Sequence, residues 1–440
     1  MIITLPSNLP TQLQKFSTIA VPNTTENRQV EQINSGFILL TIDCENKVLR
    51  LTTSIRSSTG IQGSIDLNIN CINNLSDNKQ FLVDASKFIG FIKQCEVMAT
   101  QQSNALIFLS IMADENRMSF SIKQKESTDQ ANIAYDLLNE EKRQETSITF
   151  PKHSLHYIDV DVNNQMLYDF NFPDKITLRN IDVNNFTAAF NNTLTVAKHN
   201  YQAGGQTIFG THELHLHVTQ QNNLAFYALS SVCLGVEVLP FSQGEVDEAF
   251  LVSLGIKTAS TLLKLCSDAN QITIARDHNQ LLFKIDSALL RVNTISPKKE
   301  VSAIVSQLNI TNHHVDCEIE NVKQMLTQFI SDDKKHSMIV FEYTDEPSTQ
   351  RLPLKVTTRY NCSFNNASTP ESEIVLLSPS PFKTSQIYSY NLAAFDNAVS
   401  AFTSKDISCQ WVVDDIGHLL IKQEGEQHKK FYKLNAIKSS

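Results

Sequence analysis

The sequence predicts an α+β protein built from one module written three times, each copy with two amphipathic helices and several antiparallel strands. Three observations predict it. Period-2 apolar runs separated by short polar turns dominate the chain. Isolated stretches with apolar residues at helical spacing stand between them. The order of these elements recurs at long range, the signature of internal repetition. A length of 440 residues suits about three domains at ~150 residues each.

The first copy reads as strand 1–5, helix 9–19, strands 37–42 and 47–52, strand 80–83, helix 85–98 and hairpin 105–122. The run Phe37-Ile38-Leu39-Leu40-Thr41-Ile42 and the run Lys47-Val48-Leu49-Arg50-Leu51-Thr52 flank the polar turn Asp43-Cys44-Glu45-Asn46, a hairpin signal. Asp84 is a good N-cap for the helix that follows, with Phe88, Ile89 and Ile92 at helical spacing. The second copy reads as strand 175–178, helix 184–198, strands 213–218 and 224–229, strand 250–254, helix 257–267 and hairpin 271–292. Its first helix places Phe186, Phe190, Leu194 and Ala197 on one face. The third copy reads as strand 315–319, helix 320–330, strands 337–343 and 354–360, strand 387–390, helix 392–403 and hairpin 407–421. Domain boundaries therefore fall at 1–172, 173–312 and 313–440. Two stretches fit no repeat. Residues 124–146 are polar and charge-rich and read as an exposed insertion. Residues 345–381 carry Pro347, Pro353, Pro370, Pro379 and Pro381 and read as a long loop with a strand inside it.

Composition narrows the function classes. With 41% hydrophobic and 19% charged residues the chain is a folded globular protein rather than a disordered one. The sequence has no apolar run of the ~20 residues that span a bilayer, and its first residues show no secretory pattern, so a cytoplasmic protein with no membrane partner is expected. Eight cysteines stand singly with no CxxC pair and read as reduced, mostly buried thiols. The formal net charge of −9 argues against a simple basic nucleic-acid coat, while leaving room for a locally positive surface on an acidic body.

The chain resembles the bacterial DNA polymerase sliding clamp, the β processivity subunit of DNA polymerase III, along essentially its whole length. The matching residues are densest in the second copy. There Gln206-Thr207-Ile208-Phe209-Gly210-Thr211-His212-Glu213-Leu214 and Ala225-Phe226-Tyr227-Ala228-Leu229-Ser230-Ser231-Val232-Cys233-Leu234 resemble the strand-turn-strand that leads to the family's D-G-H-R-L segment. Lys430-Phe431-Tyr432-Lys433-Leu434-Asn435-Ala436-Ile437 sits where the family has its last strand and M-P-M-R-L tail. The chain departs from the pattern at both places, with Ser231-Val232-Cys233-Leu234 for G-H-R-L and Leu434-Asn435-Ala436 for M-P-M, and its two insertions make it longer.

The resemblance implies a head-to-tail homodimer whose six domains close a ring around duplex DNA, with helices lining the hole. Lysines on those helices would meet phosphates through solvent, independent of sequence. The candidates are Lys15, Lys87, Lys93, Lys198, Lys257, Lys264, Lys323 and Lys405, with Arg28 at an arginine loop after the first helix; a solvated helix face is the alternative. The resemblance further implies a pocket for a short linear peptide of a DNA polymerase or clamp loader, at Ile208, Leu229, Val232, Leu234, Leu434 and Ala436; the alternative is ordinary strand packing. It places the ring interface at Phe329 and Ile330 against Phe88 and Ile92, with core packing as the alternative.

Catalytic readings are weak. His215 and His217 share a strand face and could bind a metal, but outward polar residues of a hairpin explain them as well. No GxGxxG, GxxxxGK[ST], GxSxG or SxxK pattern occurs. Asp332-Asp333 and Asp414-Asp415 read as helix-end or turn residues, and Trp411 as half-buried core. The expected function is a non-enzymatic processivity clamp that needs no cofactor and holds no metal. The alternatives are a diverged clamp of a phage, plasmid or specialised system, and an unrelated metal-dependent hydrolase.

Overall fold

A computed structural model describes residues 2–5, 13, 16–19, 36–55, 59–71, 79–100, 105–112, 117–124, 153–159, 168–170, 181–202, 213–219, 221–241, 249–277, 280–296, 308, 314–328, 334, 337–343, 354–360, 372–374, 382, 386–403, 409–426 and 428–437. In the first third the elements are β1 (Ile2–Leu5), β2 (Phe37–Asp43), β3 (Val48–Thr53), β4 (Ile61–Asn68), β5 (Asn70–Cys71), β6 (Lys79–Asp84), α1 (Ala85–Thr100), β7 (Ala105–Met112), β8 (Arg117–Gln124) and β9 (His153–Asp159). The middle third holds α2 (Val183–Gln202), β10 (Glu213–Val218), β11 (Asn223–Leu229), β12 (Cys233–Pro240), β13 (Phe250–Gly255), α3 (Ile256–Cys266), β14 (Ile272–Asp277), β15 (Gln280–Ile285) and β16 (Ala288–Asn293). The last third holds β17 (His314–Cys317), α4 (Ile319–Gln328), β18 (Ser337–Tyr343), β19 (Leu354–Tyr360), β20 (Ser372–Ile374), β21 (Tyr388–Asn391), α5 (Leu392–Ser400), β22 (Cys409–Val413), β23 (Leu419–Glu424) and β24 (Lys429–Leu434). Residues 16–19 are also helical, ahead of β2.

The same strand order occurs three times: β4-β3-β2-β6, β12-β11-β10-β13 and β20-β19-β18-β21, each antiparallel and each leading from its last-named strand straight into a helix. A second run of strands accompanies each, as β1-β7-β8-β9, β14-β15-β16 and β17-β22-β23-β24, and cross-pairing joins all these runs into sheets of 12, 8 and 4 strands among the described residues. The chain at the end of each second run, or just past it, then crosses to the strand that feeds the helix. Tyr157 pairs with Val83, Ile295 bridges Ser253, and Ile437 N donates to Ser389 O at 2.8 Å.

Contacts divide the chain into two compact units, Met1–Lys175 with Lys264–Asn293, and Ile176–Leu263 with Thr294–Ser440. The hairpins of the second copy belong to the first unit because β16 pairs with β4, Leu290 opposite Gly63 and Ala288 opposite Ile65. In the second unit β24 pairs with β12 in the same way, Tyr432 opposite Gly235 and Lys430 opposite Glu237. These two ladders are the joints between successive copies.

Helix faces follow their apolar spacing. Ala85, Phe88, Ile89 and Ile92 of α1 are buried with Leu13 and Phe16 on Leu40, Leu49 and Leu51. Phe186 and Phe190 of α2 enclose Phe226 of β11, the Phe190 and Phe226 rings stacked at 5.5 Å. In the third copy Trp411 is surrounded by Phe341, Phe382 and Phe395. Trp411 has 0% exposure, so the expected half-buried residue is the centre of that core. Helix starts are capped by side chains: Asp84 Oδ1 accepts from Lys87 N at 2.8 Å, Asp182 Oδ1 from Asn185 N at 3.0 Å, and Asn391 Oδ1 from Ala394 N at 2.9 Å.

Candidate functional site

The five labelled helices carry six lysines, Lys87, Lys93, Lys198, Lys257, Lys264 and Lys323, against three carboxylates, Glu96, Glu320 and Asp396. That surplus of three positive charges sits in a chain of net charge −9, so the rest of the chain is the more acidic for it. The segregation is sharpest in the second copy, whose helices α2 and α3 contain no acidic residue at all. On α2 the residues Asn184, Ala188, Asn191, Thr195 and Lys198 follow one another at i, i+4, i+7, i+11 and i+14 and face away from the core. On α3 the exposed Lys257 and Lys264 are seven residues apart and share a face, with Thr261 between them.

The candidate cations do not all stand alike. Lys87, Lys93, Lys257 and Lys264 are exposed and Lys198 is partly so. Lys323 is half-buried; its Nζ donates to Phe402 O at 2.6 Å and lies 3.5 Å from Glu320, which ties α4 to the end of α5. Two of the three helix carboxylates are compensated, Asp396 by Lys334 at 2.8 Å and Glu320 by Lys323. Lys15, Arg28 and Lys405 lie outside the described residues.

Of the expected peptide pocket, the structure brings Val232, Leu434 and Ala436 together at the end of the β12–β24 joint. Asn435 fixes that corner, its N donating to Val232 O at 2.9 Å and its Nδ2 to Ser231 O at 2.9 Å. A Cβ on Gly417 would lie 3.5 Å from Ala436 Cβ and 3.6 Å from the Tyr388 ring, so Ala436 and Tyr388 both border this turn. Val232 and Ala436 are partly exposed, whereas Leu434 at 0% and Leu234 at 3% are core. Leu234 and Leu229 belong instead to an apolar cluster with Tyr227, Val236 and Phe431. Ile208 lies outside the described residues. Sequence reading missed two residues here: Ile416, 69% exposed beside Gly417, and Ile387, 51% exposed beside Tyr388. An isoleucine in the Asp414–His418 turn was the available signal.

Phe88 and Ile92 have no accessible surface in the single chain. They fill the core of their own unit, and side chains with nothing exposed have nothing to offer a partner, so the ring interface expected at these two residues gives way to the core alternative. Phe329 and Ile330 lie outside the described residues.

The β12–β24 joint also buries a polar cluster that sequence reading did not single out. Glu237, 0% exposed, accepts from Tyr432 Oη and, at 2.9 Å, from Asn192 Nδ2 of α2. His428 Nε2 lies 2.6 Å from its second oxygen. Lys430 Nζ donates to Ala401 O at 2.9 Å. Burial and the adjacent Glu237 carboxylate push the Tyr432 hydroxyl far above its ordinary pKa.

The histidines of β10 are already engaged. His215, 4% exposed rather than outward, has Nδ1 2.7 Å from Ser253 Oγ, and His217 Nδ1 is 3.3 Å from Tyr227 Oη. Burial lowers the pKa of His217 and favours its neutral form. Among the described residues no group of three His, Cys, Asp or Glu side chains is placed to hold a metal ion. Among them, too, no helix is long and apolar enough to cross a membrane.

No protein-family model matches the chain, and no curated protein matches it by sequence. Solved structures do. The DNA polymerase sliding clamp of Caulobacter crescentus aligns over 100% of both chains with a TM-score of 0.66 at 13% identity. The Helicobacter pylori beta clamp bound to a DNA ligase peptide aligns over 100% of both chains with a TM-score of 0.66 at 12% identity. DNA polymerase III subunit beta from Borrelia burgdorferi aligns over 100% of this chain and 99% of its own, with a TM-score of 0.66 at 11% identity. The chain has the sliding-clamp fold.

Proposed function

We propose that this protein is a ring-forming sliding clamp that surrounds duplex DNA without reading its sequence. It serves as a non-catalytic processivity factor and binding platform for a DNA polymerase in the cytoplasm. The observation that carries this reading is the joint. Inside the chain, β16 and β24 each pair with the outermost strand of the preceding copy's first sheet, β4 and β12. Two half-joints stay unused among the described residues. One is the outer edge of β20, the counterpart of β4 and β12. The other is the open side of β9, the counterpart of β16 and β24, which pairs only with β8 and β6. An open sheet edge is a template for pairing, and a head-to-tail contact that closes makes a ring. Pairing β20 of each protomer with β9 of its partner gives a homodimer of six modules on the rule the chain already uses twice.

The charge pattern supports the same reading. A lysine surplus on the helices of an acidic chain attracts phosphates to one surface and leaves the others repulsive to DNA, the condition for encircling without gripping. Val232 and Ala436, with Ile416 nearby, offer a partly exposed apolar corner of the kind a short linear peptide of a polymerase or clamp loader would anchor in. The Helicobacter pylori clamp bound to a ligase peptide is a precedent for such a partner. The departures at Ser231-Val232-Cys233-Leu234 and Leu434-Asn435-Ala436 favour partner peptides of altered sequence, as in a clamp of a specialised replication system.

The test is topological. Light scattering should give a particle of twice 49.5 kDa, electron microscopy a closed annulus, and the protein loaded on nicked circular DNA should leave when the circle is cut. A monomer without a central opening, or equal retention on circular and linear DNA, overturns the reading. Stimulation of a polymerase on primed circles, with and without a loader, distinguishes a general replication clamp from a specialised one.

A further inference from the structure

The two joints are equivalent in backbone but not in what fills them. In the first unit the β16–β4 joint holds an apolar cavity of about 290 Å³, walled by Phe16, Ile65, Leu265, Ile285 and Leu290, with Asp286 among its lining residues. Strand register aligns this place with the second joint. Ala288 opposite Ile65 corresponds to Lys430 opposite Glu237, and Leu290 opposite Gly63 to Tyr432 opposite Gly235. The burial pattern of α3 matches that of α5, which sets Leu265 where Ala401 stands and Cys266 where Phe402 stands.

In the second joint Lys430 is buried, its Nζ 5.7 Å from the Phe402 ring centroid and donating to Ala401 O at 2.9 Å. In the first joint the corresponding residue is Ala288, which stops at Cβ, and Leu265 lines the open space. The cavity is where the counterpart of a lysine side chain is missing. Its charge environment suits what is missing. The C-terminal end of α3 carries partial negative charge. Asp286, held at φ +51°, is exposed in the β15–β16 turn; its Oδ1 accepts from Asn270 N at 3.0 Å and Gln271 N at 3.1 Å. Its Oδ2 has no partner among the described residues.

We propose that this cavity binds an alkylammonium group, its apolar chain against Phe16, Ile65 and Leu290 and its cation between the end of α3 and Asp286. The site is separate from the Val232–Ala436 corner and does not depend on the clamp reading; exposed Lys264, in the last turn of α3, is the candidate DNA-facing lysine beside it. The shared chemistry is that of a free amine and of a lysine side chain, and the test separates these sources.

The full-length protein is titrated with n-hexylamine, 1-hexanol and hexanoate by ligand-observed NMR and thermal unfolding. Hexylamine should bind saturably and raise Tm, hexanol should bind more weakly, and hexanoate should not bind. Ala288→Lys, which supplies the counterpart of Lys430, should abolish hexylamine binding and melt no lower than the parent. Ala288→Met fills the same space without charge and should also abolish binding, so one misfolded variant does not decide the matter. Asp286→Asn should weaken hexylamine roughly two- to fivefold, the worth of an exposed ion pair. Competition by a lysine-containing peptide that outbinds its norleucine analogue assigns the source to a protein partner; hexylamine binding without such competition assigns it to a small amine. Hexanoate binding as tightly as hexylamine, or an unchanged hexylamine response in both folded Ala288 variants, overturns the proposal.

Discussion

Gly235 stands opposite Tyr432 across the β12–β24 ladder, and a Cβ there would lie 3.0 Å from Val196 Cγ2 and 3.1 Å from Tyr432 Cε1. Gly63 repeats the arrangement in the other joint, where a Cβ would lie 3.0 Å from Ile19 Cδ1 and 3.4 Å from Leu290 Cδ2. In both joints a helix is seated directly over the point where two copies share a ladder, and only a residue without a side chain leaves it room. Gly235→Ala is therefore expected to destabilise by about 1–3 kcal/mol, the cost of overpacking, in urea unfolding. Gly90→Ala is the opposite case. Its Cβ would meet nothing within 4 Å, and it lies inside α1, so it should stabilise by about 0.5–1 kcal/mol.

Glu237 is the acceptor that holds α2 to β24 at the second joint: its Oε1 accepts from Asn192 and from Tyr432, while His428 Nε2 lies 2.6 Å from its other oxygen. Glu237→Ala leaves Asn192 and Tyr432 without their acceptor in a water-excluded place and His428 without its neighbouring charge, and should cost about 3–5 kcal/mol by denaturant unfolding. Glu237→Gln keeps an acceptor for Tyr432 and should cost distinctly less. Equal losses would mean that the charge, and not the hydrogen-bond geometry, is what the joint needs.

Alkaline pH should open the fold through its tyrosines. Burial pushes Tyr168 and Tyr227 up to about 12, and Tyr390 and Tyr432 well above their ordinary value. A tyrosine raised in this way stabilises the native state fully below pH ~10, where the unfolded chain also keeps its proton. As the pH rises from there through the native values, only the unfolded chain ionises and stability falls. Phenolate absorbance followed together with circular dichroism should show these tyrosines ionising with unfolding rather than before it. Cys233, pushed up to about 12 by burial, should likewise resist thiol reagents at pH 8 in the native protein.

Charge reversal on the helices should act on DNA and not on the fold. Lys257→Glu and Lys264→Glu alter exposed positions on one face of α3 and should weaken retention on circular DNA, with the salt slope of binding falling by about one unit per lysine removed. Lys323→Gln should do the reverse. It loses the bond to Phe402 O, so it should lower Tm while changing the salt slope little. An unchanged salt slope in the α3 double variant would remove those lysines from the DNA-facing set.

The alternation of the strands and the apolar spacing of the helices were legible in the chain, because each depends on residues two to four apart. The 37–43 and 48–53 hairpin, the Asp84 cap and the buried Phe186 and Phe190 all follow from local pattern. So did the recurrence of elements that led to the clamp resemblance. What local pattern did not reveal is how the copies are joined. β4 reads poorly as a strand because Gly63 and Ser64 interrupt its apolar run, and its partner β16 lies more than two hundred residues away. The same long-range pairing decides that Leu434 is core and Val232 is partly exposed, and that Lys430 fills one joint while Ala288 leaves the other hollow. Sequence fixes which faces are apolar; only the closing of distant ladders determines which of those faces meet, because burial is a property of the partner as much as of the residue.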